Sequence, residues 1–303
     1  MSNRRDFIKQ ASLGALGLGL IPTISFAEDD LIKLTILHTN DMHSHIESFK
    51  TGRNKGLGGM AERAALIKKI RQENENVLLF DAGDIFQGTP YFNMYGGELE
   101  LKLMSEMKYD AATIGNHDFD NGLAGLESQL PFASFPFLCA NYDFSNNILD
   151  GRFKPYKLFK KSGIKIGVFG IGIELNGLVP KSLYDKTIYQ DPITKSNYYA
   201  NHLRNELKCD LVICLSHLGF KYKSSKIDDI KLAEQTKNID LIIGGHTHTF
   251  LNKPISKMNI EQKPVLIAQV GWAGIKIGKI DYFFSRENVI KNIFGGSFSV
   301  KNV

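Results

Sequence analysis

Short apolar runs recur along the chain at residues 34–37, 77–80, 111–114, 211–215 and 241–243, each bounded by polar or glycine residues. Their length and their ends read as β-strands. Between such runs, residues 59–72, 97–107, 123–130, 197–207 and 228–237 read as helices. The later runs at 265–270 and 275–284 follow one another with no helix between them, which fits antiparallel additions or a second sheet. The pattern therefore predicts an α/β protein with one mixed sheet, or two packed sheets, flanked by helices.

Length and composition agree with one large domain, since 303 residues at 43% hydrophobic content can bury a sizeable core. No internal repeat, low-complexity tract or Pro/Ser-rich linker divides the chain. Residues 1–27 read as an export signal: NRRDFIK (3–9) supplies the positive segment, 11–21 the apolar segment, and Ser25, Phe26 and Ala27 a cleavage site. The adjacent Arg4 and Arg5, followed by Phe7, Ile8 and Lys9, resemble a twin-arginine signal, and with it a periplasmic or otherwise exported location is expected. No cysteine follows the apolar segment to carry a lipid anchor, and no later stretch is long enough to span a bilayer. The formal charge of +5 falls by two without the leader, too mild a balance to argue for a nucleic acid polymer or a membrane surface. Cys139, Cys209 and Cys214 form no disulfide framework and read as small buried hydrophobes; the odd offset of Cys209 and Cys214 across one strand points them to opposite faces.

Five polar motifs sit just after the five apolar runs: HTNDMHSH (38–45), AGDIFQGT (82–89), GNHDFD (115–120), SHLGF (216–220) and GGHTHTF (244–250). In an open α/β sheet, ligands bind beyond the carboxyl ends of the strands, so these ends can converge on one pocket. Asp41 and His43 can both reach a cation if the chain turns at Met42. Asp84 has two oxygens and can bridge two metals. Asn116 offers a neutral oxygen, and His217, His246 and His248 offer ring nitrogens. With no thiolate among the donors, such a site accepts Mn, Fe, Co, Ni or Zn. Two divalent ions facing only Asp41 and Asp84 leave the pocket electropositive, suited to a phosphate-like dianion. Singly, each residue has a plainer reading: Asp84 as a cap, Asn116 as a turn residue, His217 as a structural histidine, Gly244 and Gly245 as a tight turn. Five ordered motifs at five strand ends favour the metal site. His38, His45 and His202 read as solvent-facing or structural, with His45 near the pocket.

In this order the motifs D-x-H, GD-x-x-QG, GNHD-F-D, SHLG and GGHTH resemble the calcineurin-like metallophosphoesterases, and within them the catalytic domain of the periplasmic 5′-nucleotidase family. The resemblance runs over essentially all of residues 28–303. It implies a sandwich of two mixed β-sheets flanked by helices, and two divalent metals. Asp41, His43, Asp84 and His248 would hold one, and Asp84, Asn116, His217 and His246 the other, with Gln87 at or beside the centre. The implied reaction is in-line attack of a metal-activated hydroxide on a phosphomonoester, with nucleotides as the expected substrates and Asn116 and His117 touching them. His117 is assigned to no metal, and Asp120, three residues on, can orient it as a catalytic pair. Relatives that act on nucleotides carry a further C-terminal domain that binds the nucleoside. For this chain, either a separate polypeptide supplies that domain or the substrate is held differently. Two other readings stand beside this one: an exported sulfur-ester hydrolase resembling the thiosulfohydrolases, and a non-catalytic metal- or nucleotide-binding module.

Overall fold

The computed structural model of the protein describes residues 31–301, so the expected leader at 1–27 lies outside the described residues. Strand β1 (Ile32–Thr39) pairs in parallel with β2 (Val77–Asp81), which pairs in parallel with β3 (Ala111–Ala112). On its other side β1 runs antiparallel to β12 (Lys276–Phe284), and β13 (Ile290–Ser299) closes the sheet in the order β13-β12-β1-β2-β3. A second sheet places β6 (Ile164–Ile171), β8 (Leu211–Ser216), β9 (Leu241–Gly244) and β11 (Pro264–Ala268) parallel to one another. Its antiparallel edges are β5 (Tyr156–Lys161) and β10 (Ile255–Met258). A small pair, β4 (Tyr142–Asp143) with β7 (Ile188–Tyr189), stands apart.

Alternate side chains of a strand leave opposite faces, and that period of two builds three buried layers. Leu34, Ile36, Leu78 and Phe80 of the first sheet meet Ile166, Val168, Leu211, Ile213 and Ile243 of the second in one shared core. Leu37 and Leu79 face outward onto Ile67 and Ile70 of the helix Met60–Glu73 and onto Leu101 and Met104 of the helix Glu98–Glu106. Phe169, Val212, Cys214 and Ile242 face the opposite way, onto Ala200, Leu203, Leu232 and Ala233. The result is the expected sandwich of two mixed sheets between helical layers. Each fully buried leucine in it contributes about 2 kcal/mol of transfer free energy.

The helix expected at 197–207 begins earlier, at Pro192, where proline occupies the first turn and the Asp191 carboxylate accepts the Thr194 N–H at 2.7 Å. Its final turn, His202–Glu206, is a π-turn. Short helices at Pro90–Tyr95 and Lys181–Tyr184 are not part of the sequence expectation. All three cysteines are free and buried. Cys209 and Cys214, however, lie in the same outer core, because β8 begins only at Leu211 and Cys209 belongs to the turn before it. Near the C-terminus Val300 is buried, its N–H bonds Ile275 O and its carbonyl accepts the Gly58 N–H, so this segment is an ordered edge.

Candidate metal centre

The carboxyl ends of β1, β2, β3, β8 and β9 open on one side of the sandwich, and each is followed within a few residues by a motif donor. Asp41 and His43 follow β1, Asp84 follows β2, Asn116 follows β3, His217 directly follows β8, and His246 and His248 follow β9. Five of these seven take left-handed backbone: Asp41 (φ 51°), His43 (47°), Asp84 (55°), His246 (70°) and His248 (51°). That region disfavours residues with a Cβ by about 1–2 kcal/mol each, and Asp, Asn and His enter it most readily among them. Tertiary hydrogen bonds hold it in place. Asp41 N–H bonds Gly83 O at 2.9 Å, His43 N–H bonds Asp84 O at 3.0 Å, and Ala273 N–H bonds Asp41 O at 2.7 Å.

Two groups of donors result. Asp41, His43 and His248 place ligand atoms within 4.8 Å of one another, and so do Asp84, His217 and His246. Asp84 lies between the groups, with Oδ2 3.1 Å from His217 Nε2 and 3.9 Å from His43 Nε2. Asn116 Oδ1 is 2.8 Å from His246 Nδ1. Two of the rings are aimed by main-chain carbonyls: His217 Nδ1–H donates to Ala82 O at 2.6 Å and His43 Nδ1–H to Gln87 O at 3.2 Å. This turns His217 Nε2 toward Asp84 and His43 Nε2 toward His248 Nε2 at 3.0 Å, with Asp84 and Asp41 just beyond, as in histidines that ligate metal. His217 Nε2 is wholly buried and makes no hydrogen bond. A buried lone pair aimed at two carboxylates is what a divalent cation completes, so the donor set fits two such ions.

The electrostatics point the same way. Burial would lower His217, but the carboxylates of Asp84 and Asp41 push it up to about 10. Burial would raise Asp84, yet the neighbouring imidazoles, His217 foremost, hold it well below the usual carboxylate range. His246 is driven down to about 3 by burial and by the charge on His217. The two carboxylates thus favour positive charge at the His217 imidazole.

Beside the two groups, His117 Nδ1 meets Asp120 Oδ2 at 2.8 Å, and that bond raises the imidazole above its ordinary value. The other leftover histidines separate cleanly. His38 is buried against Gly278 and pushed down to about 3 by that burial, so it is structural rather than solvent-facing. His202 pairs with Glu206 and the Tyr156 hydroxyl. His45 lines the mouth of the pocket.

Sequence reasoning missed a supporting layer. The Asp118 carboxylate accepts N–H groups from Gly115 (2.8 Å), Ile85 (2.9 Å), Asp84 (3.1 Å) and Phe86 (3.1 Å), pinning the β2 loop to the β3 loop. Asn40 Nδ2 donates to Asp41 Oδ2 and to Gly271 O, both at 2.6 Å. Gln269 Nε2 donates to Gly245 O at 2.6 Å. Asp118 and Asn40 stand inside quoted motifs, where a polar residue next to a ligand is the available signal. Gln269 lies in an apolar run and gives none.

Fold and site together define a class: an α/β sandwich carrying paired carboxylate–imidazole clusters at its parallel strand ends. The family model of the calcineurin-like phosphoesterases matches residues 34–250, and the chain belongs to that family. It is 34% identical to a snake venom 5′-nucleotidase of Crotalus adamanteus in a match 287 positions long that covers 86% of this chain and 47% of that protein. The crystal structure of a 5′-nucleotidase precursor from Thermus thermophilus superposes with a TM-score of 0.79 at 30% identity, covering 89% of this chain and 55% of that one. The calcineurin-like phosphoesterase YfkN from Bacillus subtilis superposes with a TM-score of 0.71 at 27% identity, covering 89% of this chain and 91% of that one. The chain spans about half the length of the curated relatives it matches.

Proposed function

We propose that the protein hydrolyses phosphomonoesters, nucleotides among them, with two divalent metal ions drawn from Mn, Zn, Fe, Co or Ni. The observation that carries this reading is the pair of donor groups, with Asp84 between them, beside the His117–Asp120 pair. Asp41, His43, Asp84 and His248 would hold one ion, and Asp84, Asn116, His217 and His246 the other. Bound there, the ions supply Lewis acidity toward phosphoryl oxygens and an activated water. The chain's own groups do the rest. Asn116 and His117 contact the phosphoryl group, and Asp120 fixes the ring of His117 through Nδ1. Nε2 of His117 then carries a proton to the leaving alkoxide as its bond to phosphorus breaks. The names of the relatives, 5′-nucleotidases at 34% and 30% identity, support nucleotides as the substrate class.

Turnover of AMP and p-nitrophenyl phosphate by the metal-reconstituted protein tests this: hydrolysis should vanish with chelator and in Asp84→Ala. Absence of hydrolysis across nucleotides, sugar phosphates and p-nitrophenyl phosphate overturns it. Among the described residues no helix is long and apolar enough to cross a membrane. We further propose export through the twin-arginine motif at Arg4 and Arg5. Changing both to lysine should block it, and unaltered export refutes the signal.

A further inference from the structure

We propose that Trp272 is the wall on which the substrate's leaving group lies, and that it selects phosphomonoesters whose leaving group carries a planar aromatic ring. This rests on the phosphomonoesterase reading and names the substrate class within it. A cavity of about 380 Å³ opens over the metal centre, and its lining includes His43, His45, Gln87, His117, His248 and Trp272. Among these, the indole is the one large apolar surface. Its ring lies nearly parallel to His248, with centroids 5.8 Å apart and planes at 12°. His45 meets it edge-on at 5.3 Å and itself stacks on Phe49 at 4.9 Å.

The loop that carries Trp272 is sewn to the loop that carries Asp41. Asn40 donates to Gly271 O at 2.6 Å, Val270 N–H bonds Asn40 Oδ1 at 2.9 Å, and Ala273 N–H bonds Asp41 O at 2.7 Å. The indole therefore stands at a fixed place relative to the donors. His117 lines the same cavity, its ring centroid 5.2 Å from that of His43. His117 and the half-buried Trp272 line one cavity, so an ester whose oxygen takes the proton of His117 can lay its organic group against the exposed part of the indole. Stacking of a base on an aromatic side chain is worth about 1–3 kcal/mol, roughly five- to hundredfold in affinity, and an alkyl group gains little of it.

Two measurements test the proposal on the metal-reconstituted full chain. The first compares kcat/KM for p-nitrophenyl phosphate and AMP with that for glycerol 2-phosphate in wild type, Trp272→Leu and Trp272→Phe. The aromatic-to-alkyl ratio should fall about tenfold in the leucine variant and recover with phenylalanine. An equal fall for both kinds of substrate would mean that Trp272 merely supports His248, and it overturns the proposal. The second uses the wild type alone, because Trp272 is the only tryptophan in the chain. With the zinc-loaded protein, adenosine should change the intrinsic fluorescence saturably and glycerol should not; no saturable change overturns the proposal. Since adenosine has no phosphate, this result stands apart from the phosphoesterase reading, which fails instead if no ester is cleaved.

Discussion

Asp84 meets the centre through both oxygens: Oδ2 approaches His217 and His43, while Oδ1 accepts the His117 N–H at 2.8 Å. A change at His117 that spares its main chain should leave Asp84 and the donors in place. His117→Asn should therefore lower kcat by about 10²- to 10⁴-fold while elemental analysis still finds two metals; loss of metal would place His117 among the ligands. Asp118→Ala strips four buried N–H groups of their acceptor, and chemical denaturation should register a loss of at least about 3 kcal/mol. At His38 the effect is on acid stability. The folded protein keeps that ring neutral down to about pH 3, whereas the unfolded chain takes a proton below about pH 6.5. The unfolded state thus binds more protons between those values, and stability falls as pH falls through the window by about 1.4 kcal/mol per unit. Urea titrations of chelator-treated protein at pH 7 and pH 5 should show a smaller acid loss in His38→Leu than in wild type; equal losses would contradict it. The donors are legible in sequence because histidine and aspartate at strand ends are conspicuous. Asp118 is not, because a carboxylate serving main-chain N–H groups looks in sequence like any other acid. Trp272 is invisible for a related reason: nothing local marks a side chain whose importance comes from the loop it is sewn to.

At the scale of the element, strands that continue into a donor loop depend on glycines at the junction. A Cβ on Gly245 would stand 2.8 Å from His217 Nδ1, 2.9 Å from Ala82 O and 3.0 Å from Asp41 Oδ2. Gly245→Ala should displace the loop that aims His246 and His248, weakening metal binding by about 1.4 kcal/mol or more, a factor of roughly ten; titration calorimetry with Mn²⁺ would measure it. The strands preceding the motifs are readable from apolar runs, since a core shared by two sheets demands them. The start of the Pro192 helix is marked too, by Asp191 and Pro192, a capping signal that apolar spacing alone passes over. The β4–β7 pair is not marked, because two residues per strand carry no period.

Across the whole molecule, both donor groups draw on both sheets. Asp41, His43 and Asp84 come from the first, and His217, His246 and His248 from the second. Ion binding should therefore raise global stability, by about 2.7 kcal/mol for a site held at a hundred times its Kd. Thermal scans should show a melting point that falls by several degrees with chelator, and Asp84→Ala should remove most of that difference. The apolar pattern leaves one sheet or two as open options, and the choice between them rests on β12 and β13 joining β1 rather than β11, a long-range pairing that no local pattern reports. The left-handed turns give this architecture a last consequence. The loops after β1, β2 and β9 are wound springs held shut by their neighbours, and bound cations would act as the clasp across the seam. Removing them should loosen the open rim first, so limited proteolysis of the stripped protein should nick there while the closed end of the sandwich stays intact.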